Sequence, residues 1–182
     1  LASASITGAD KTYDGLLAAT GSTISGSTSG ALNGDAVELD LSGISLAFDN
    51  AHAGARLISA SGNAALGAVT GGGVGLKDGT AGNAVAGLAG DYALPAQPVI
   101  AAVNKQISPA QLMASASITG ADKTYDGLLA ATGSTISGST SGALNGDAVA
   151  LDLNGIGLAF DNAHAGARRI SASGNAALGA VT

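Results

Sequence analysis

One 70-residue segment is written twice in this chain. At an offset of 112, residues 1–70 align without a gap on residues 113–182, and 65 of the 70 positions agree. The five differences are Leu1/Met113, Glu38/Ala150, Ser42/Asn154, Ser45/Gly157 and Leu57/Arg169. Two segments this alike must satisfy the same fold, so the architecture has to be a module that works in tandem. A period of 112 exceeds the roughly 20–50 residues of a solenoid coil and suits a small self-contained domain. The expected organisation is a complete unit over 1–112 and a second, truncated unit over 113–182. The second would lack counterparts of Tyr92 and of a strand at 99–107. That phase is preferred to one running 71–182 because Ser108–Pro109 breaks the chain just before the repeated segment restarts. Near-identical copies allow their number to drift by recombination, which fits a spacer better than an enzyme.

The material of each unit favours strands. The chain is 46% apolar but only 3% aromatic and 11% charged, with 29 glycines, so its core is built from small side chains. Ser, Thr, Gly and Asn outnumber the strong helix formers. The clearest local pattern is VELDL-SG-ISLAF, residues 37–48, which alternates apolar and polar residues on both sides of a two-residue break. The second copy has Asn154–Gly155 at that break, a strong hairpin signal. The expectation is a hairpin with Leu41 opposite Ile44, Leu39 opposite Leu46 and Val37 opposite Phe48, all on one face, and Glu38, Asp40, Ser45 and Asp49 toward water. None of the five differences then touches the core, and Leu57/Arg169 points outward. Further strands are expected at 2–7, 23–28, 55–60, 92–94 and 99–107, a helical turn at 16–20, and breaks at 33–34, 61–62, 71–73 and 78–79. The fold class that follows is all-β: small antiparallel β-sandwich modules of immunoglobulin-like type, with a β-grasp-like module or a β-solenoid as alternatives.

Several chemistries are excluded or disfavoured. The seven Lys and Arg residues are dispersed, with Arg168–Arg169 the only adjacent pair, and net charge is −6. Nucleic acid is therefore not an expected partner. No cysteine is present, so disulfide and thiol chemistry are absent. No signal peptide is legible at Leu1, which puts any targeting segment outside these residues. The uncharged run at 57–76 is long enough for a membrane span but too rich in Gly, Ser and Asn to be read as one. His52 and His164 stand one per unit within FDNAHAG, with no second histidine at ligand spacing. Asp49 and His52 have no distinguished nucleophile to activate. Residues 71–79, GGGVGLKDG, fit neither nucleotide fingerprint nor the calcium nonapeptide and read as a loop. Asp10, Asp14, Asp35 and Asp40 could gather around calcium, but no loop concentrates them. Residues 21–30, GSTISGSTSG, read as a solvated strand and loop. No cofactor, metal site or catalytic residue is expected, and the chain is read as non-enzymatic.

The pentapeptide KTYDG, residues 11–15, reads as a tyrosine-anchored turn. Asp14 can bond nearby backbone N–H groups, Gly15 accepts positive φ, and Tyr13 supplies one of the few large apolar surfaces. AGDYALP, residues 89–95, places Tyr92 after a small-residue turn in the manner of the tyrosine corner of immunoglobulin-like sandwiches. KTYDG, FDNAHAG, AGDYALP and the closing VNKQISPAQL of residues 103–112 together resemble the YDG-type repeat of large secreted Gram-negative adhesins similar to filamentous haemagglutinins. The resemblance spans the whole period and the 70 residues after it. It implies an extracellular stalk or matrix-fibre module, exported unfolded through an outer-membrane partner. It transfers no catalytic residues; Tyr13, Asp14, Gly15 and Tyr92, with Tyr125, Asp126 and Gly127 in the second copy, carry over as structural signature positions. The implied partners are neighbouring repeats of the chain, with like chains in a fibre or a cell-surface glycan as alternatives. A glycan-binding or self-associating module is the rival function.

Overall fold

Small and β-branched side chains at alternating positions leave the backbone extended through most of its length. The computed structural model describes residues 1–32, 34–71 and 87–182. It divides into two compact units, Leu1–Pro109 and Ala110–Thr182. The first contains β1 (Ala2–Thr7), β2 (Lys11–Thr12), β3 (Thr23–Thr28), β4 (Asp35–Asp40), β5 (Ile44–Phe48), β6 (Gly54–Gly62), β7 (Ala65–Gly71), a single 3-10 turn at Ala89–Asp91, and β8 (Val103–Ser108). The chain is all-β, with several small sheets and almost no helix among the described residues.

The segment at 35–48 is extended as expected, and its faces are as expected. Val37, Leu39, Ile44, Leu46 and Phe48 turn inward, while Glu38, Asp40 and Ser45 are exposed. The pairing is different. β4 and β5 do not form a hairpin with each other; β4 pairs with β7 and β5 with β6, both antiparallel. A two-residue hairpin turn needs positive φ in its centre, and neither Ser42 nor Gly43 adopts it. Instead the Ser42 N–H donates to Asp40 Oδ1 at 2.9 Å and the Ile44 N–H to the Leu41 carbonyl at 3.0 Å. The Ser42 donation holds the Asp40 carboxyl below its usual range. This turn redirects the strand without reversing it. The result is one long ribbon, residues 35–48 against 54–71, whose true turn is the FDNAHAG loop and which is broken halfway along. At the break Gly62 has φ 110° and lies so close to the Gly43 backbone that a side chain would collide with it.

The broken ribbon feeds two sets of strands. β5 and β6 continue into a four-stranded sheet of order β2-β8-β6-β5, in which β8 is parallel to β2 and antiparallel to β6. β1 pairs antiparallel with β3, and the Thr28 hydroxyl donates to the Val37 carbonyl at 2.5 Å, tying β3 to β4. The core is Ile6, Ala19, Phe48, Ile58 and Ile107, with Tyr13, Leu46, Ala60, Ile100 and Val103 packed against it. Ile58 and Ile107 are fully buried; each such side chain contributes on the order of 1.5–3 kcal/mol.

Other expectations are corrected. Residues 92–94 are not a strand; Tyr92 follows the 3-10 turn in irregular backbone. The strand expected at 99–107 starts only at Val103. Residues 16–20 are not helical, because Ala18 bridges to Ala47 and the Phe48 N–H donates to the Leu17 carbonyl at 2.8 Å. β7 was not anticipated: its Ala-Gly-rich sequence carries no strong strand signal. Asn33 of the 33–34 break, residues 72–79 of the glycine-rich loop and the 78–79 break lie outside the described residues. No helix among the described residues is long and apolar enough to cross a membrane.

The second unit repeats the plan with β9 (Met113–Thr119), β10 (Thr135–Ser141), β11 (Val149–Asp152), β12 (Ile156–Phe160), β13 (Ile170–Gly174) and β14 (Ala177–Val181). β9 pairs with β10, β11 with β14, and β12 with β13, so the same broken ribbon forms. The break is again a redirecting turn, with the Asn154 N–H on Asp152 Oδ1 at 3.0 Å and the Ile156 N–H on the Leu153 carbonyl at 3.0 Å.

Candidate functional site

Three of the four motifs of the first unit meet around β8. The hub is Lys11, which the sequence reading passed over. Its ammonium donates to Asp14 Oδ1 at 2.7 Å, to the Leu16 carbonyl at 2.7 Å and to the Ala18 carbonyl at 3.1 Å. It also lies 5.3 Å from the centroid of the Phe48 ring, the first residue of FDNAHAG, within cation–π range. Asp14 Oδ1 accepts the Leu16 N–H at 2.9 Å as well. The Lys11 hydrogen bond, and after it the Leu16 N–H, hold the Asp14 carboxyl below its usual range. Gly15 has φ 76°, so only glycine fits this turn without strain. The signal for Lys11 was present, since it is the first letter of the repeated pentapeptide.

Tyr13 anchors this turn to the end of β8. Its N–H donates to the Ser108 carbonyl at 2.8 Å, and its half-buried ring packs on the core. One step earlier, Asp10 Oδ1 accepts the Gln106 N–H at 2.8 Å. The FDNAHAG loop is held by its own atoms: Asn50 Oδ1 accepts the His52 N–H at 2.8 Å, and Arg56 Nε donates to the His52 carbonyl at 2.8 Å. Asp49 closes it through its N–H to the Leu57 carbonyl at 2.9 Å and its Oδ1 to the Leu57 N–H at 3.2 Å.

Tyr92 is used elsewhere. Its hydroxyl donates to Asp35 Oδ2 at 2.6 Å and accepts the Leu32 N–H at 3.2 Å, and the bond to Asp35 pushes its pKa up. A tyrosine corner reaches a few residues upstream; Tyr92 reaches back about 60, so the expected corner is replaced by a long-range clasp. The four aspartates considered for calcium do not gather. Asp10 faces Gln106, Asp14 faces Lys11, Asp35 faces Tyr92 and Asp40 faces Ser42. Among the described residues no group of three or more His, Cys, Asp or Glu side chains could hold a metal ion.

In the second unit the KTYDG turn is nearly superposable. Lys123 donates to Asp126 at 2.7 Å, Leu128 at 2.7 Å and Ala130 at 3.0 Å, and lies 5.6 Å from the Phe160 ring. Gly127 has φ 75°, and the Asp126 carboxyl is lowered by the Lys123 and Leu128 bonds. Tyr125, however, is 63% exposed. It opens onto a cleft of about 450 Å³ lined by Asp122, Lys123, Phe160, His164 and residues 165–168 among others.

Residues 108–180 match the family model of the YDG domain, so a YDG-type module occupies that stretch. The aligned residues 1–68 of the first unit differ from 113–180 only at the five positions named above. No curated protein matches the chain, and no solved structure does.

Proposed function

We propose that the chain is a pair of extracellular structural modules: extension units of a bacterial surface adhesin or matrix fibre, without enzymatic activity and built as small β-sandwiches. One observation carries this reading. The polar groups of the repeated motif are spent on holding the module's own backbone. Lys11 secures two carbonyls and Asp14, Asp10 secures the closing strand, and Asn50 and Arg56 secure the FDNAHAG loop. A catalytic or ligand-binding site needs polar groups held ready for something else. The sandwich reading is supported by the division of the first strand, with β1 pairing with β3 and β2 passing to β8.

The rival glycan-binding reading needs exposed aromatic faces. In the first unit Phe48 is 2% exposed and Tyr13 is packed on the core, so that surface offers little to stack on. A cell-attachment assay on the parent protein discriminates the two. If the units are extension modules, exchanging them for an unrelated β-module of similar length leaves attachment intact, while deleting them shortens the reach at which it occurs. Loss of attachment after that exchange would overturn the proposal.

A further inference from the structure

We infer that the second unit holds a preformed slot for one added β-strand, and that its occupant is a closing strand of the Val103–Ser108 type carried by a further copy of this repeat unit. This does not depend on the stalk reading. In the first unit β8 lies between β2 and β6, pairing Lys11 with Ile107 and Thr12 with Ser108 on one side, and Gly54 through Ile58 with Ile107 through Val103 on the other. The second unit has no such strand among its residues. Its positions 123–124 and 166–169, counterparts of β2 and of the first four residues of β6, are accordingly not strand. The cleft beside Tyr125 is lined by these same positions: Lys123, Gly166, Ala167 and Arg168.

The slot keeps its shape without the strand. Gly166 has φ 125° against 130° for Gly54. Arg168 Nε holds the His164 carbonyl at 2.9 Å, and the Asp161 N–H holds the Arg169 carbonyl at 2.9 Å, as their counterparts do. A site already in its bound shape loses little ordering entropy on binding, and strand addition to an open sheet edge supplies the main-chain bonds. Side-chain chemistry fits too. β8 turns Val103, Lys105 and Ile107 inward. The floor that would receive them, Ile118, Phe160 and Ile170, repeats Ile6, Phe48 and Ile58. The one difference near the slot, Leu57/Arg169, faces outward, since Leu57 is 42% exposed.

Counting fixes the source. Residues 1–182 contain two slots and one closing strand, and β8 already fills the first slot. A copy that donated its own β8 would open its own first unit. The strand that closes the second unit therefore comes from a further repeat whose closing strand is not engaged.

The test titrates the 182-residue chain with a synthetic peptide of residues 99–110 and follows amide hydrogen exchange. Fragments containing Arg169 are distinguished by mass from those containing Leu57. The expected result is saturable binding of one peptide per chain, slowed exchange at 166–170, and no change at 54–58. Two controls tie binding to the slot. A peptide with Ile107→Asp should not bind. Neither should a chain with Gly120→Val: at the equivalent Gly8 an added Cβ would stand 2.8 Å from Lys105 Cγ and 2.9 Å from Val103 Cγ2, whereas at Gly120 it meets only the Ile170 terminal carbon at 3.0 Å. No saturation by about 1 mM peptide, protection at 54–58 instead, or equal binding of the Ile107→Asp peptide would each overturn the inference.

Discussion

The two units are a substitution experiment in which almost nothing is substituted. Ile6 is 8% exposed and its counterpart Ile118 is 37%. Ile58 and Phe48 are buried while Ile170 and Phe160 are only half-buried, and Tyr13 is half-buried where Tyr125 is 63% exposed. Leu66 is half-buried and Leu178 is 62% exposed. None of these residues is among the five that differ. What differs is the presence of residues 87–108, which clasp Asp35, cap Ala64 through Gln97 and insert β8. The KTYDG turn, by contrast, has the same bonds in both. Local turn chemistry is complete within the 70-residue segment, and the core is not.

The comparison breaks first at Ile107. Ile107→Asp would put an unpaired carboxylate at a fully buried position, at a cost of several kcal/mol. β8 should leave its sheet, so that the first unit takes on the character of the second. Exchange at 54–57 should then rise to the rate at 166–169, with the second unit unchanged. If 54–57 stay protected, β8 is not what closes the unit.

Tyr92 gives a smaller and one-sided effect. Tyr92→Phe removes the donation to Asp35 and should lower the melting temperature of the first unit while leaving the second untouched. The pH dependence has a defined sign. Because the folded pKa of Tyr92 is raised, its contribution is present below the ordinary tyrosine value near 10 and is lost as pH rises through the folded value. Alkaline unfolding should therefore show this component in the first unit only, and it should vanish in Tyr92→Phe.

The KTYDG turn should respond equally in both units. Asp14 and Asp126 have lowered folded pKa values. Their stabilisation is complete above the unfolded value near 3.9 and is lost as pH falls through the lower folded value. Asp14→Asn and Asp126→Asn should each flatten acid unfolding below about pH 4, by similar amounts. Unequal changes, read by the same mass-resolved exchange, would mean that β8 supports the turn and that the turn is not local.

The faces of the ribbon were legible because alternation fixes a face regardless of partner; Leu39, Leu46 and Phe48 all turned inward. Their partners were not legible. Asn154–Gly155 advertises a hairpin, yet the carboxylate two residues before each break captures the turn's N–H and sends the strand onward. Such a competition between a side-chain acceptor and a backbone reversal is decided by tertiary pairing. The anchoring roles of Asp14, Gly15 and Tyr13 could be read from their chemistry. That of Lys11 could not, because its three acceptors are a side chain and two carbonyls of a loop whose path the sequence does not specify. The place of β8 in its sheet was hidden for the same reason: Val and Ile at alternate positions announce a strand without naming its neighbours.

The smallest effect is expected at Glu38, where the two units already differ. Glu38 is on the exposed face of β4, and Ala150 stands at its place in β11. If the openness of the second unit comes from its missing strand, Glu38→Ala should change the stability of the first unit by no more than about 0.5 kcal/mol. Ala150→Glu should likewise leave the second as open as before. Leu39→Asp is the matched contrast. It sits one residue away on the inner face, where a carboxylate meets apolar neighbours, and should cost several-fold more. Urea unfolding of the three variants measures this. Equal losses for Glu38→Ala and Leu39→Asp would break the assignment of faces, and closure of the second unit by Ala150→Glu would trace its openness to the substitutions instead of the strand.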